Sequence, residues 1–259
     1  MSLKMVIVAV VIAVAFLTAA DAFIVYELTG PASYAGHTAA RALALAVAAI
    51  AAVVAAVRFN GFAEHVGRAW TLLATLYVLL TISYVLTRTD LAGSTTTQIM
   101  VIVGNLAAVG AFWLFGTVLR NSGLQFYGPA ALKLAVFVIA VAIACALVLP
   151  TVLQLLDSER AGIEFVAELV SAAADMLTFI LVAPLLLTVW SFRGGKLSWV
   201  YGFLALSTVG WMVNQAADDL LPQRIVRDTQ MLGLFLACAS VAVAAYLQQA
   251  STRTEPSRV

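Results

Sequence analysis

Five polar residues, Glu164, Glu168, Ser171, Asp175 and Thr178, recur in one stretch of the chain at spacings of four, three, four and three. On a helix, that spacing gathers them into one narrow stripe. The residues around them are apolar, and Pro184 follows, which removes an intrahelical hydrogen bond and kinks a helix. Carboxylates running inward beside a kink read as the wall of a cavity, one suited to a cation, a proton or an amine-bearing solute. A second stripe repeats the pattern with Ser207, Trp211, Asn214 and Asp218, flanked by Gln215 and Asp219. Asn105 falls midway along another apolar stretch, and Asp21 lies about one turn inside the end of the first. His37 and Arg41, four residues apart, bring the opposite charge. Arg41 falls at about the depth of Glu168, so the expected ion pair is Arg41–Glu168 or Arg41–Asp21.

Each of these residues also has a plainer role open to it. His37 alone reads as an interfacial residue and His65 as part of a loop. Asp90, Asp218 and Asp219 read as wet helix ends. Asn105 and Asn214 read as hydrogen-bonding groups between helices. Asp175 is the deepest carboxylate and the one most suited to function; its structural alternative is a protonated or paired side chain that fixes helix packing.

Other chemistry finds no residues to carry it. The chain has no Gly-rich phosphate loop, no nucleophile elbow and no HExxH motif, so no enzyme activity is expected. Its 2 histidines are too few for bis-histidine haem or a His-rich zinc site, and no lysine lies deep in the last apolar stretches to hold retinal. No cofactor or metal is expected. Cys145 and Cys238 lie within apolar stretches without CxxC spacing and read as buried small hydrophobes.

The elements that must position the polar stripes are set by composition. Of 259 residues, 63% are hydrophobic and 10% charged, and mean hydropathy is +1.03. A soluble domain carries about 25% charged residues to wet its surface, so lipid must be the solvent for much of this chain. Eight apolar stretches are near the roughly 20 residues that cross a bilayer as a helix: Met5–Tyr26, Ala39–Val57, Ala69–Leu86, Gln98–Leu119, Leu132–Leu153, Ile163–Phe192, Trp199–Leu220 and Gln230–Gln248. The alternation of a membrane β-barrel is absent. The expected fold is an all-α, polytopic bundle of about eight transmembrane helices. Lys4, the apolar run after it and Thr18-Ala19-Ala20 resemble a signal peptide, but the segment has a counterpart later in the chain and is kept as the first helix.

With the N-terminus inside, nine Lys and Arg fall on the inner side and five on the outer, the asymmetry of a multi-pass protein of the plasma or inner membrane with both termini cytoplasmic. Trp70, Trp190 and Trp199 fall near the inner ends, where headgroup-level rings are expected. A net charge of +1 gives no reason to expect a nucleic-acid partner. Shifting the chain by about half its length aligns Leu3-Lys4 with Leu132-Lys133, Trp70 with Trp199, and Asp90 with Asp219. The expected organisation is a tandem duplication of four-helix units, 1–124 and 125–259, in parallel orientation. Such repeats place substrate sites at their interface in transporters.

The function expected first is a small transporter or channel-like protein for a cation, proton or small solute. Its site residues would be Asp175, Glu168, Glu164, Arg41, Asn105, Asn214, Asp218 and Asp21 in an outward-facing cavity. The alternative is a sensor or ligand- or lipid-binding subunit acting through a membrane partner or as a homo-oligomer. A polar route through the inner half favours the first, and a closed inner half favours the second.

Overall fold

Small residues decide how the helices of this chain meet. One face of the second span is built of alanine: Ala48, Ala52 and Ala55 are completely buried and Ala44 packs against the same core. Without side-chain bulk the backbones approach closely, which replaces the water-driven packing that lipid does not provide. Among the described residues of the computed structural model this produces eight α-helices: α1 (Leu3–Glu27), α2 (Pro31–Arg58), α3 (His65–Leu86), α4 (Thr95–Asn121), α5 (Ala130–Asp157), α6 (Ile163–Ser191), α7 (Lys196–Leu220) and α8 (Gln223–Thr252). The structure describes residues 3–27, 31–86, 89, 91, 93–121, 128–157, 162–191, 196–221 and 223–252. Asp90, the joint at 122–127 and the tail beyond 252 lie outside the described residues, as do the side chains of Trp190, Asp218 and Asp219.

Every expected span corresponds to a helix, and most helices are longer than the apolar stretch that announced them. α2 begins at Pro31, because a proline has no N–H to lose in the first turn and its φ already suits a helix. Among the described residues, six helices are long and apolar enough to cross a membrane, within Ala35–Arg58, His65–Leu86, Thr95–Asn121, Ala130–Asp157, Ile163–Leu187 and Ile225–Ser251. α1 contributes a shorter apolar stretch, Ile7–Phe23, and α7 is not among the six. The polar side chains that α7 turns inward lower its average hydropathy.

The packing order is a closed ring. α2 packs on α3, α3 on α4, α4 on α6, α6 on α7, α7 on α8, and α8 back on α2. α1 lies outside the ring against α2 and α8, and α5 lies outside it against α6 and, slightly, α7. The outer position of α5 is written in its residues: only Ala140, Ala144, Val148 and Leu155 are buried, a single narrow stripe, while Leu134, Phe137, Val138 and Ile139 remain exposed. An apolar outer surface of this kind fits a membrane-embedded bundle.

Aromatic side chains fill the ring toward one end. Trp70, Phe115 and Tyr201 are buried to within 2%. Trp70 and Phe115 meet edge to face with centroids 5.3 Å apart, and Phe115 and Tyr201 meet in the same way at 6.2 Å. The expected headgroup position for Trp70 is therefore corrected: its residue faces the ring axis, where the partner helices offer more apolar contact than an interface does. Trp199 is partly exposed. Both cysteines are free; Cys238 is buried, whereas Cys145 is exposed on the outer face of α5, contrary to the expected burial.

The tightest crossing joins α7 to α8. A Cβ placed on Gly210 would come within 2.6 Å of the Gly233 carbonyl oxygen, and one on Gly233 within 2.6 Å of the Gly210 oxygen. A Cβ on Gly202, on the same helix, would meet nothing within 4 Å. Gly210→Ala is therefore expected to destabilise the protein by about 1–3 kcal/mol through overpacking. Gly202→Ala should be neutral or slightly stabilising, by up to ~1 kcal/mol of helix propensity. Equilibrium unfolding in detergent micelles compares the two, and equal effects would refute the close crossing.

Candidate functional site

The ring is not filled to its other end. A cavity of about 240 Å³ lies between α3, α4, α6 and α7. From α6 it is lined by Ser171, Asp175 and Thr178, three members of the polar stripe. From α4 come Asn105 and Phe112, and from α7 come Ser207, Thr208, Trp211, Asn214 and Gln215. α3 adds Leu73, Tyr77 and Tyr84. Trp70, Phe115 and Tyr201 lie toward the opposite end of the same helices, so they form the cavity's floor.

Most of the hydrogen-bond donors on this wall are already committed to the protein. The hydroxyls of Thr178, Ser207 and Thr208 donate to the carbonyls of Asp175, Leu204 and Ala205, three residues earlier, at 3.0, 2.7 and 2.8 Å, the back-bonding that such residues adopt in apolar helices. Asn105 Nδ2 donates to Ser171 Oγ at 2.6 Å and links α4 to α6. Asn214 Nδ2 donates to the Gln230 carbonyl at 2.8 Å and links α7 to α8. Trp211 Nε1 donates to the Tyr77 hydroxyl at 3.2 Å across the ring, and the two rings stand 6.3 Å apart, tilted by 40°.

The Asp175 carboxylate differs from its neighbours. It sits midway along α6, and among the described residues no cation lies within ion-pair distance and no donor reaches its side chain. It keeps part of its surface open, on the cavity wall. A carboxylate removed from bulk water is costly unless something compensates it. Here the compensation has to come from the cavity's contents or from a proton.

The other expected site residues are distributed differently. Asn105 and Asn214 are on the cavity wall with Asp175. Glu164 is exposed in the first turn of α6, and Glu168 is partly buried one turn deeper; neither lines the cavity. The side chain of Asp218 lies outside the described residues. Asp21 belongs to a separate cluster. It is 1% exposed, and His37 Nδ1 lies 3.0 Å from both of its carboxylate oxygens, tying α1 to α2. Arg41 forms neither expected ion pair. Its guanidinium lies over the Tyr84 ring, 5.4 Å from the centroid. Two causes account for this correction. α2 and α6 do not pack on each other, so Glu168 is not beside Arg41. His37 lies one helical turn nearer the end of α1 that carries Asp21, and it takes that carboxylate first.

Tyr77 has no place among the expected residues, although the sequence carries a signal for it. Trp70, Tyr77 and Tyr84 recur every seven residues along α3, which places them on one face. Trp211 and Gln215 are recognisable as members of the α7 stripe, but only the packing makes Trp211 the partner of Tyr77.

No cluster of three or more His, Cys, Asp or Glu side chains comes together among the described residues. The Asp21–His37 pair has a measurable consequence. His37→Ala leaves a buried carboxylate without its partner and is expected to cost about 3–5 kcal/mol. The double substitution Asp21→Leu with His37→Leu should recover most of that loss. A denaturation series of the two variants tests this; equal losses would show that the pair is not coupled.

Comparison of the chain with protein-family models, with curated proteins and with solved structures finds no match.

Proposed function

We propose that this chain is a membrane transport protein that admits a small cation or protonated solute from the outer side to Asp175. The observation that carries this is the Asp175 carboxylate: unpaired among the described residues, on the wall of a cavity, halfway along a helix long enough to span a bilayer. Electrostatic attraction to such a group is strong, because apolar walls screen it little. In the sequence, nine Lys and Arg fall on the side assigned as inner and five on the other, which supports an outward-facing cavity and cytoplasmic termini.

The ring supports the tandem organisation, 1–124 and 125–259, that transport by alternating access would use. The α4–α6 contact has a counterpart in α8–α2, as α2–α3 has in α6–α7 and α3–α4 in α7–α8. A half-turn about the ring axis exchanges these pairs. The outer helices depart from this relation: α1 lies against α8, but α5 lies against α7 rather than α4. In this reading, Trp70, Phe115 and Tyr201 are the inner gate. The Trp70 Nε1 donor is buried without a partner, an unpaired group that a second arrangement of the floor would satisfy.

The closed floor also favours one alternative, a sensor that binds its ligand in the same cavity and signals through a membrane partner or a second copy. Flux into proteoliposomes separates the two. Transport predicts saturable cation- or proton-coupled uptake that Asp175→Asn lowers about 10- to 100-fold, the loss of one charge-assisted interaction, with folding retained. Binding without flux in the wild type would favour the sensor.

A further inference from the structure

We infer that the cavity is built for a small organic ammonium ion, with Asp175 as counter-charge and the Trp211 ring as cation–π surface. This rests on the proposed role of Asp175 and narrows it to a substrate class.

Three features lead to this class. The first is charge. Among the described residues one carboxylate faces the cavity, and no cluster of metal-binding side chains forms. A divalent ion such as calcium takes six to eight oxygens, several of them carboxylate, so a single charge suits a monocation. The second is the balance of donors and acceptors. The hydroxyl hydrogens of Thr178, Ser207 and Thr208 and the indole N–H of Trp211 are held within the protein. Those four groups have no hydrogen left to offer a ligand, while the hydroxyl oxygens keep acceptor lone pairs and the ionised carboxylate accepts only. A cation is complementary to this part of the wall; an anion is not.

The third feature is the aromatic side. Trp211 is half-buried and lines the cavity, held by its bond to Tyr77 and backed by that ring at 6.3 Å. Trp is the ring on which a cation binds best, and quaternary ammonium groups are recognised in this way. A bare alkali ion prefers oxygen ligands and gains little from an indole at the cost of its hydration. Apolar neighbours, Leu73, Leu76, Leu80 and Phe112, complete the wall and suit alkyl substituents rather than an inorganic hydration shell. A volume of about 240 Å³ equals the space of roughly eight waters at about 30 Å³ each, which limits the solute to the size of choline.

Calorimetric titration of the full chain in lipid nanodiscs tests this with choline, its uncharged isostere 3,3-dimethylbutan-1-ol, and potassium. Choline should bind saturably, and the isostere about 10- to 100-fold more weakly for want of the charge. Trp211→Leu should weaken choline by about tenfold. Trp211→Phe, which keeps an aromatic face but loses the Tyr77 bond, should restore most of the affinity; if both variants lose it equally, the ring face is not the determinant and the inference fails. Asp175→Asn should weaken choline binding about 10- to 100-fold. Potassium binding that depends on Asp175 but not on Trp211, without choline binding, would overturn the ammonium class and leave the cation site standing. Choline binding unchanged in Asp175→Asn would overturn both, as would no binding of either cation. Unchanged thermal unfolding of each variant confirms that the titrations compare folded proteins.

Discussion

Where water is excluded, a polar side chain has only its own protein to bond to, and the energy of an unmet bond is several times that of a packing contact. The interior of this bundle is organised around that constraint. Threonines and serines turn back to the carbonyl of the preceding turn, as Thr71, Thr75 and Thr81 do in α3. Other polar side chains tie helices together: Asp21 with His37, Asn105 with Ser171, Asn214 with Gln230, Trp211 with Tyr77. Each fixes the register of two helices that packing alone would let slide. The Asp175 carboxylate, unpaired among the described residues, departs from this rule, as do the buried Trp70 Nε1 and Ser240 Oγ, and departures of this kind concentrate where a protein does something.

The two ends of the ring solve the same volume problem differently. Toward the floor, Trp70, Phe115 and Tyr201 fill the axis with rings meeting edge to face, an arrangement worth about 0.5–1.5 kcal/mol per pair beyond the area buried. Toward the cavity, the same helices present shorter polar side chains that leave space between them. One bundle is thereby filled at one end and hollow at the other. The transition falls within about a turn of helix, from Phe112 and Leu73 on the cavity wall to Phe115 and Trp70 beneath them. The α7–α8 crossing holds α7 against a fixed neighbour at Gly210 and Gly233, one residue before Trp211 in the chain. Trp211 is therefore placed by backbone contact as well as by its hydrogen bond.

What the sequence by itself determined is what composition and periodicity can carry. Helices, their number and their apolar character follow from runs whose length matches a bilayer. The α6 stripe follows from a spacing of three and four, which puts Ser171, Asp175 and Thr178 on one face whatever that face meets. The buried alanine face of α2 is legible for the same reason. Partners in space are not written in this way. Which helix lies beside which is a property of the closed ring, and in that ring α2 meets α8 and α3 rather than α6, so Arg41 faces Tyr84 and His37 takes Asp21. Trp70 points into the core because the ring leaves an axis to fill, whereas the sequence shows only a tryptophan near the end of an apolar run. Tyr77 and Trp211 are 134 residues apart in the chain, and no local pattern links them. Periodicity fixes the face a residue occupies; only the tertiary structure supplies what that face meets, because the choice depends on the summed fit of many small contacts between helices distant in sequence.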